Sequence, residues 1–195
     1  MPFHPFDLDS LPATPWKNGG GTTREIVCQP PGAGMDNFDW RISIASITQA
    51  GPFSAFPGID RNIMLLDGAG VRLQAAGIDH RLDTPGQPFA FSGDLALNCT
   101  LLGGASTDFN VMVRRSRLRA EVQVLDATSQ TAPSGQGLLL SLRGAWHLQS
   151  GAHDFHCPTG HGIWWDAASA WQATPLVAHA QLVLVQVHDL NKTGR

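Results

Sequence analysis

Apolar residues in this chain recur at every second position over short runs, not at the three-and-four spacing of an amphipathic helix. The run "WRISIASI" (40–47) shows it most clearly. Arg41, Ser43 and Ala45 fall on one face, and Trp40, Ile42, Ile44 and Ser46 on the other, which predicts a strand with one polar face. Runs of similar character are "TREIVCQ", "NIMLLDG", "GVRLQA", "PFAFSG", "LALNCTLLG", "DFNVMVRR", "EVQVLD", "GLLLSLRG", "AWHLQSG", "GIWWDA" and "AQLVLVQVHDL". Between them, 21 glycines and 13 prolines break the chain at short intervals. Many short strands between regular turn signals predict an all-β sandwich or barrel.

The pattern also repeats. Leu73-Gln74 in "GVRLQAAG" aligns with Leu148-Gln149 in "AWHLQSG", 75 positions on. "GQPFAF" (86–91) aligns with "GHGIWW" (160–165), and "FNVMV" (109–113) with "VLVQV" (183–187), both 74 positions apart. Three matches in one order at nearly one offset predict two β-units of like topology, a bicupin of two jelly rolls. The expected division is an N-terminal cupin unit over 1–115 and a degenerate C-terminal cupin unit over 116–195, with "SRLRAEVQVLDATSQTAPSGQG" bridging them. One large barrel with accidental internal similarity is the alternative.

Composition narrows the function. The 195 residues are 43 % hydrophobic and 15 % charged with net charge −3, so nothing calls for a nucleic-acid partner. The basic run Arg114, Arg115, Arg117 and Arg119 reads as a solvated face ahead of a phosphate-binding patch. The only lysines are Lys17 and Lys192. Cys28, Cys99 and Cys157 form neither a disulfide framework nor a zinc motif. No signal peptide or membrane-length apolar run is visible, and the expected location is the cytoplasm.

Metal chemistry lacks its residues. No HxH pair occurs among the eight histidines, and the cluster His153, His156 and His161 in "HDFHCPTGH" reads as a loop. No catalytic metal and no cofactor are expected. No nucleophile elbow and no phosphate loop is present either; the lysine precedes the glycines in "PWKNGGGTTREI". What remains is a set of polar residues in apolar or turn settings. Lys17, Asn18 and Thr22 flank Gly19, Gly20 and Gly21, and Arg41 shares a strand face with Ser43. "GPFSAFPGIDR" carries Phe53, Ser54, Phe56, Asp60 and Arg61, and "DFN" places Asp108 and Asn110 on one face. An arginine inside a barrel needs an anion or a carboxylate beside it. Asp60 or Asp108 could supply that carboxylate from within, or a ligand could. The triple glycine could turn several N–H groups toward one anion beside Trp16 and Lys17, or could only let a strand enter a crowded barrel mouth.

These stretches, "PWKNGGGTTREI", "WRISIASITQAGPFSAFPGIDR" and "DFNVMVRR", resemble the HutD/Ves family. The resemblance implies a bacterial bicupin of the RmlC-like kind, with motif positions at Trp16–Thr22, Arg41, Ser43, Phe53, Ser54, Phe56–Gly58, Asp60, Arg61, Asp108, Asn110 and Arg114. It also implies a regulatory role in histidine utilisation for HutD-type members and a link to environmental stress for Ves-type members. The expectation is a binding protein for a small carboxylate such as urocanate or formylglutamate. In it Arg61, Arg41 and Lys17 pair with the carboxylate, Asn18, Ser43 and Asn110 hydrogen-bond, and Trp16, Phe53 and Phe56 form walls. The alternative is a metal-free cupin isomerase or hydrolase with Asp60 or Asp108 as base. Direct nucleic-acid binding and membrane association are not expected; a homodimer or a regulatory protein partner stays open.

Overall fold

The computed structural model describes residues 3–191. Its strands are β1 (Phe3–Asp7), β2 (Ala13–Pro15), β3 (Gly21–Gln29), β4 (Trp40–Ile47), β5 (Gly51–Phe53), β6 (Ile59–Gly68), β7 (Val71–Ala75), β8 (Ile78–Leu82), β9 (Pro88–Ser92), β10 (Leu97–Leu101) and β11 (Ser106–Arg114). They continue as β12 (Leu118–Leu125), β13 (Ser129–Gln130), β14 (Gln136–Arg143), β15 (Trp146–Ser150), β16 (His153–Cys157), β17 (His161–Trp165), β18 (Gln172–Pro175) and β19 (Gln181–Asp189). The helical content of the described residues is one 3-10 turn, Leu8–Ser10. No described helix is long and apolar enough to cross a membrane.

The chain divides into two compact units. In residues 11–118, a six-stranded sheet runs β2-β3-β4-β11-β6-β9 and a four-stranded sheet runs β5-β10-β7-β8. Counted from β4 to β11, one sheet holds the first, eighth, third and sixth strands and the other the second, seventh, fourth and fifth. That is the order of an eight-stranded jelly roll. Residues 119–191, joined by 3–10, form sheets β1-β17-β14-β19-β12 and β13-β18-β15-β16. Counted from β12 to β19 the order is the same.

The sequence repeat falls on this order. Leu73 and Leu148 lie on the fourth strand of each set, "GQPFAF" and "GHGIWW" contain the sixth, and "FNVMV" and "VLVQV" the eighth. Two features differ from expectation. Residues 3–10 belong with the C-terminal unit, because β1 pairs antiparallel with β17 from Phe3↔Trp165 to Asp7↔His161. The supposed bridge is itself structural, since it holds β12 and β13.

Each unit buries the apolar set of its alternating strands between its two sheets. In residues 11–118, Ile47, Ile63, Leu65 and Phe91 of the larger sheet meet Val71, Leu73, Leu82, Leu97 and Cys99 of the smaller. In the other unit, Leu139, Ile163, Trp165, Leu182 and Leu184 meet Trp146, Leu148, Cys157 and Ala173, with Trp171 beside them. Burial of large aromatics helps specify the fold, because a large aromatic in a filled core has few alternative rotamers.

Candidate functional site

The site follows from strand register in residues 11–118. β11 lies between β4 and β6, and pairing sets three rows side by side. They are Arg61, Met112 and Arg41; then Ile63, Asn110 and Ser43; then Leu65, Asp108 and Ala45. Side chains two apart on a strand share a face. Ile63 and Leu65 point into the core between the sheets, so Arg61, Asn110, Asp108, Arg41 and Ser43 point inward with them. The polar face of "WRISIASI" is therefore buried: Arg41 is 8 % exposed and Ser43 2 %.

This face opens into a cavity of about 860 Å³. Its polar groups include Lys17, Asn18, Arg41, Ser43, Asp108 and Asn110, with Arg61 and Ser54. Its apolar walls include Trp16, Phe53, Phe56, Met35 and Met112. A volume of this size suits a small organic ligand.

Arg61 is the most constrained cation of the cavity. It is 6 % exposed. Its Nη2 donates to Asn110 Oδ1 at 3.0 Å, its Nη1 makes a long 3.5 Å contact with the Ser54 carbonyl, and its Nε has no partner. Phe53, Phe56 and Phe91 surround the guanidinium, with ring centroids 5.0 to 5.6 Å away. Burial pushes its pKa down to about 10, opposed by the charge of Asp108 and assisted by that of Arg41. Arg41 is satisfied within the protein. Its Nε donates to Glu25 Oε2 at 2.7 Å and its Nη1 to Ser43 Oγ at 3.1 Å.

Asp108 is the counterpart. It is 1 % exposed, and neither carboxyl oxygen has a hydrogen-bond partner. Burial pushes its pKa up to about 7, against the pull of Arg61. The amides of Ala45 and of Asp108 itself also favour the charged form, but neither meets hydrogen-bond geometry with the carboxyl.

The triple glycine lines no part of the cavity. Trp16 N donates to Gly21 O, Gly19 N to Trp16 O, and Gly20 N to Asn18 Oδ1, so these three amides are engaged within the loop. Gly19 holds φ +70°, a conformation that favours glycine. At Gly21 a Cβ would lie 2.2 Å from the Ser46 carbonyl and 3.1 Å from the Trp16 ring. The glycines let β3 dock on β4 under Trp16, so of the two readings of the run the contacts match strand entry, and Gly19, Gly20 and Gly21 do not line the cavity as the ligand-binding residues they were expected to be. The Trp16 Nε1–H donates to Thr23 Oγ1 at 2.7 Å and so fixes that wall.

Two further expected residues lie elsewhere, both by strand alternation. Thr22 alternates with Thr23, and Thr23 lines the cavity while Thr22 does not. Asp60 alternates with Arg61 and binds Arg115 Nε at 2.8 Å away from the cavity. The basic run is likewise occupied: Arg114 and Arg117 pair with Asp39, Arg115 with Asp60 and Asp94, and Arg119 with Glu121. The stretch "HDFHCPTGH" is not a loop, since His153–Cys157 is β16 and β17 starts at His161. Among the described residues no group of three or more His, Cys, Asp or Glu side chains could hold a metal ion. Lys192 lies outside the described residues.

The family model for HutD matches residues 8–189. The chain belongs to the HutD family. HutD-family relatives include Protein Ves of Cronobacter sakazakii, 40 % identical over 165 residues, or 84 % of this chain and 87 % of that one. An uncharacterized 21.2 kDa protein in the hutC 3' region of Pseudomonas putida is 46 % identical over 129 residues, covering 66 % and 67 % of the two chains. The solved structure of HutD from Pseudomonas fluorescens, in a formate condition, matches with TM-score 0.81 and 29 % identity over 96 % of this chain and 98 % of that one. A cupin 2 conserved barrel domain protein from Leptotrichia buccalis shares the fold alone, at TM-score 0.62 and 11 % identity over 94 % and 96 % of the chains.

Within this HutD-family cavity, the sequence reading missed Glu25, Thr23 and Met112, and placed Ala45 on the face of Arg41 and Ser43 without giving it a role. Period two would have found the three: Thr23 and Glu25 continue one face of β3, and Met112 follows Asn110. Met35, Pro12, Thr14, Pro15 and Pro52 also line the cavity, from outside the alternating faces of the long strands.

Proposed function

We propose that this protein binds a small carboxylate in the cavity of residues 11–118 and serves as a regulator that limits histidine utilisation by sensing urocanate or formylglutamate. One observation carries the reading. Arg61 is buried among three aromatic rings with its Nε unpartnered and facing no hydrogen-bonded carboxylate. A desolvated guanidinium with a free N–H favours an incoming carboxylate, which it can meet through two parallel hydrogen bonds. The hutC-region relative and the HutD structure support the link to histidine utilisation.

The regulatory step runs through ligand capture or another protein. Recognition of a major groove by a helix has no candidate element here, since the helix among the described residues is three residues long. A cytoplasmic setting fits three free cysteines. The test is a thermal-shift and calorimetric screen with urocanate and N-formylglutamate. A ligand at 100 times its dissociation constant should add about 2.7 kcal/mol of stability. Absence of binding by both compounds overturns the reading.

Asp108 supports one rival, a metal-free enzyme, because a buried carboxyl pushed up to about 7 is suited to proton transfer. Turnover of either compound by the purified protein would favour that rival.

A further inference from the structure

We propose that Asp108 is a second reader of the bound anion: it takes up one proton as a carboxylate docks on Arg61 and donates the resulting O–H to that carboxylate. The proposal rests on the carboxylate reading and adds proton-coupling to it.

Geometry carries it. In its row Asp108 has Ala45 on one side and Leu65 on the other, so neither neighbouring side chain offers it a polar partner. It is 1 % exposed, lines the cavity, and has two oxygens without hydrogen bonds. Asn110, two residues along the same strand or about 7 Å away, receives Arg61 Nη2. The cavity thus has an unpartnered N–H of Arg61 on one side of Asn110 and an unpartnered carboxyl on the other. An anion placed between them meets a cation and a carboxyl that cannot stay charged beside it. Two buried carboxylates at one site share a proton, because the second negative charge is neither solvated nor paired.

The bookkeeping closes with one proton. Ionised Asp108, a carboxylate ligand and one solvent proton give a complex holding neutral Asp108 and a ligand carboxylate. Arg61 keeps its charge throughout, since its pKa of about 10 in the free protein is raised further by an anion beside it. The free carboxyl, pushed up to about 7 by burial, is poised to accept that proton at neutral pH. Other titratable groups face the same space. Arg41 comes from β4, Glu25 from β3, and Lys17 from the loop before β3. On the smaller sheet, Cys99 and His80 lie in one inward row with Leu73, and His80 stacks on Phe89 at 3.7 Å. Cys99 is pushed up to about 12 and stays neutral. His80 serves as the control position on that sheet.

N-formylglutamate is the probe, because its only titratable groups are carboxyls that stay ionised above about pH 5. Its affinity should be level below about pH 6 and fall toward tenfold per pH unit above about pH 7. Calorimetry at pH 8 in two buffers of different ionisation enthalpy should read uptake of close to one proton per ligand. Asp108→Asn should still bind, with neither slope nor uptake, and His80→Gln should keep both. Binding without proton uptake overturns the proposal while leaving the carboxylate reading intact. A slope that persists in Asp108→Asn and vanishes in His80→Gln overturns it also. Failure of the wild-type protein to bind the probe at any pH overturns the proposal, and the carboxylate reading falls with it if urocanate also fails to bind. If Asp108→Asn does not fold, the buffer comparison on wild type and His80→Gln decides the matter.

Discussion

Arg61 donates to Asn110 across neighbouring strands at 3.0 Å, and neither Asp60 nor Asp108 accepts a hydrogen bond from it. A guanidinium acting as an internal strut would end on a carboxylate. Asp60 is bound to Arg115 instead, and Asp108 has no hydrogen-bond partner. Arg61→Lys keeps the charge but loses the planar fork. Because a charge-assisted hydrogen bond contributes about 1.5–3 kcal/mol, affinity for the carboxylate should fall roughly ten- to a hundredfold. Calorimetry and a melting curve on this one variant separate the roles. Unchanged affinity with a lower melting temperature would mean that Arg61 is structural after all.

Gly21 and Gly20 should respond differently to substitution. A Cβ at Gly21 would meet backbone, the Ser46 carbonyl at 2.2 Å, which cannot move without disturbing β3–β4 pairing. At Gly20 the nearest atom is the Asn18 side-chain oxygen at 3.3 Å, which can shift. Gly21→Ala should therefore destabilise by about 1–3 kcal/mol or more, and Gly20→Ala by well under that. Thermal unfolding of the two variants side by side gives the answer. Equal effects would contradict the close approach.

How far the chain could be read in advance depended on the range of the interactions. Alternation is local, so the inward set of Arg41, Ser43, Asp108 and Asn110 was visible in the residues themselves. The repeat was visible because corresponding strands of the two units keep similar apolar spacing, as at Leu73 and Leu148. Asp60 and Arg61 are adjacent, and only the strand register decides which of them faces the cavity. The glycine run was ambiguous for a similar reason: its purpose is a contact with Ser46, which lies on another strand. β1 joins β17 through partners distant in sequence, and no local pattern announces such a pairing.

That long-range pairing gives a third expectation. Phe3 lies opposite Trp165 in β1–β17, and its ring meets Trp171 at 5.0 Å and His153 at 4.7 Å, both edge-on. Phe3 is only partly buried, so Phe3→Ala should cost about 2 kcal/mol, less than the ~3–5 kcal/mol of a fully buried phenylalanine. Chemical denaturation should show this loss. Because the cavity lies wholly in residues 11–118, affinity for N-formylglutamate should be kept. No loss of stability would mean that residues 3–10 do not contribute to the folded C-terminal unit.

Asp108 should make the ligand-free protein less stable as pH rises. Its folded pKa of about 7 lies above the ordinary 3.8, so the folded state holds a proton that the unfolded chain releases. Stability is then fully present below about pH 3.8 and is lost as pH climbs through about 7. A shift of about three pKa units corresponds to a loss on the order of 4 kcal/mol. Asp94 and Asp79 act in the opposite sense. Hydrogen bonds from Arg115 and Arg72 respectively hold their pKa values down, so they favour the fold as pH rises above the carboxylate range. They are exposed and common to both proteins, so a comparison with Asp108→Asn cancels them. The variant should melt at a higher temperature than wild type at pH 8, by several degrees, and the gap should narrow steadily toward pH 4. A gap that is the same at pH 4 and pH 8 would mean that Asp108 is already solvated in the cavity, and its burial would then have no electrostatic consequence.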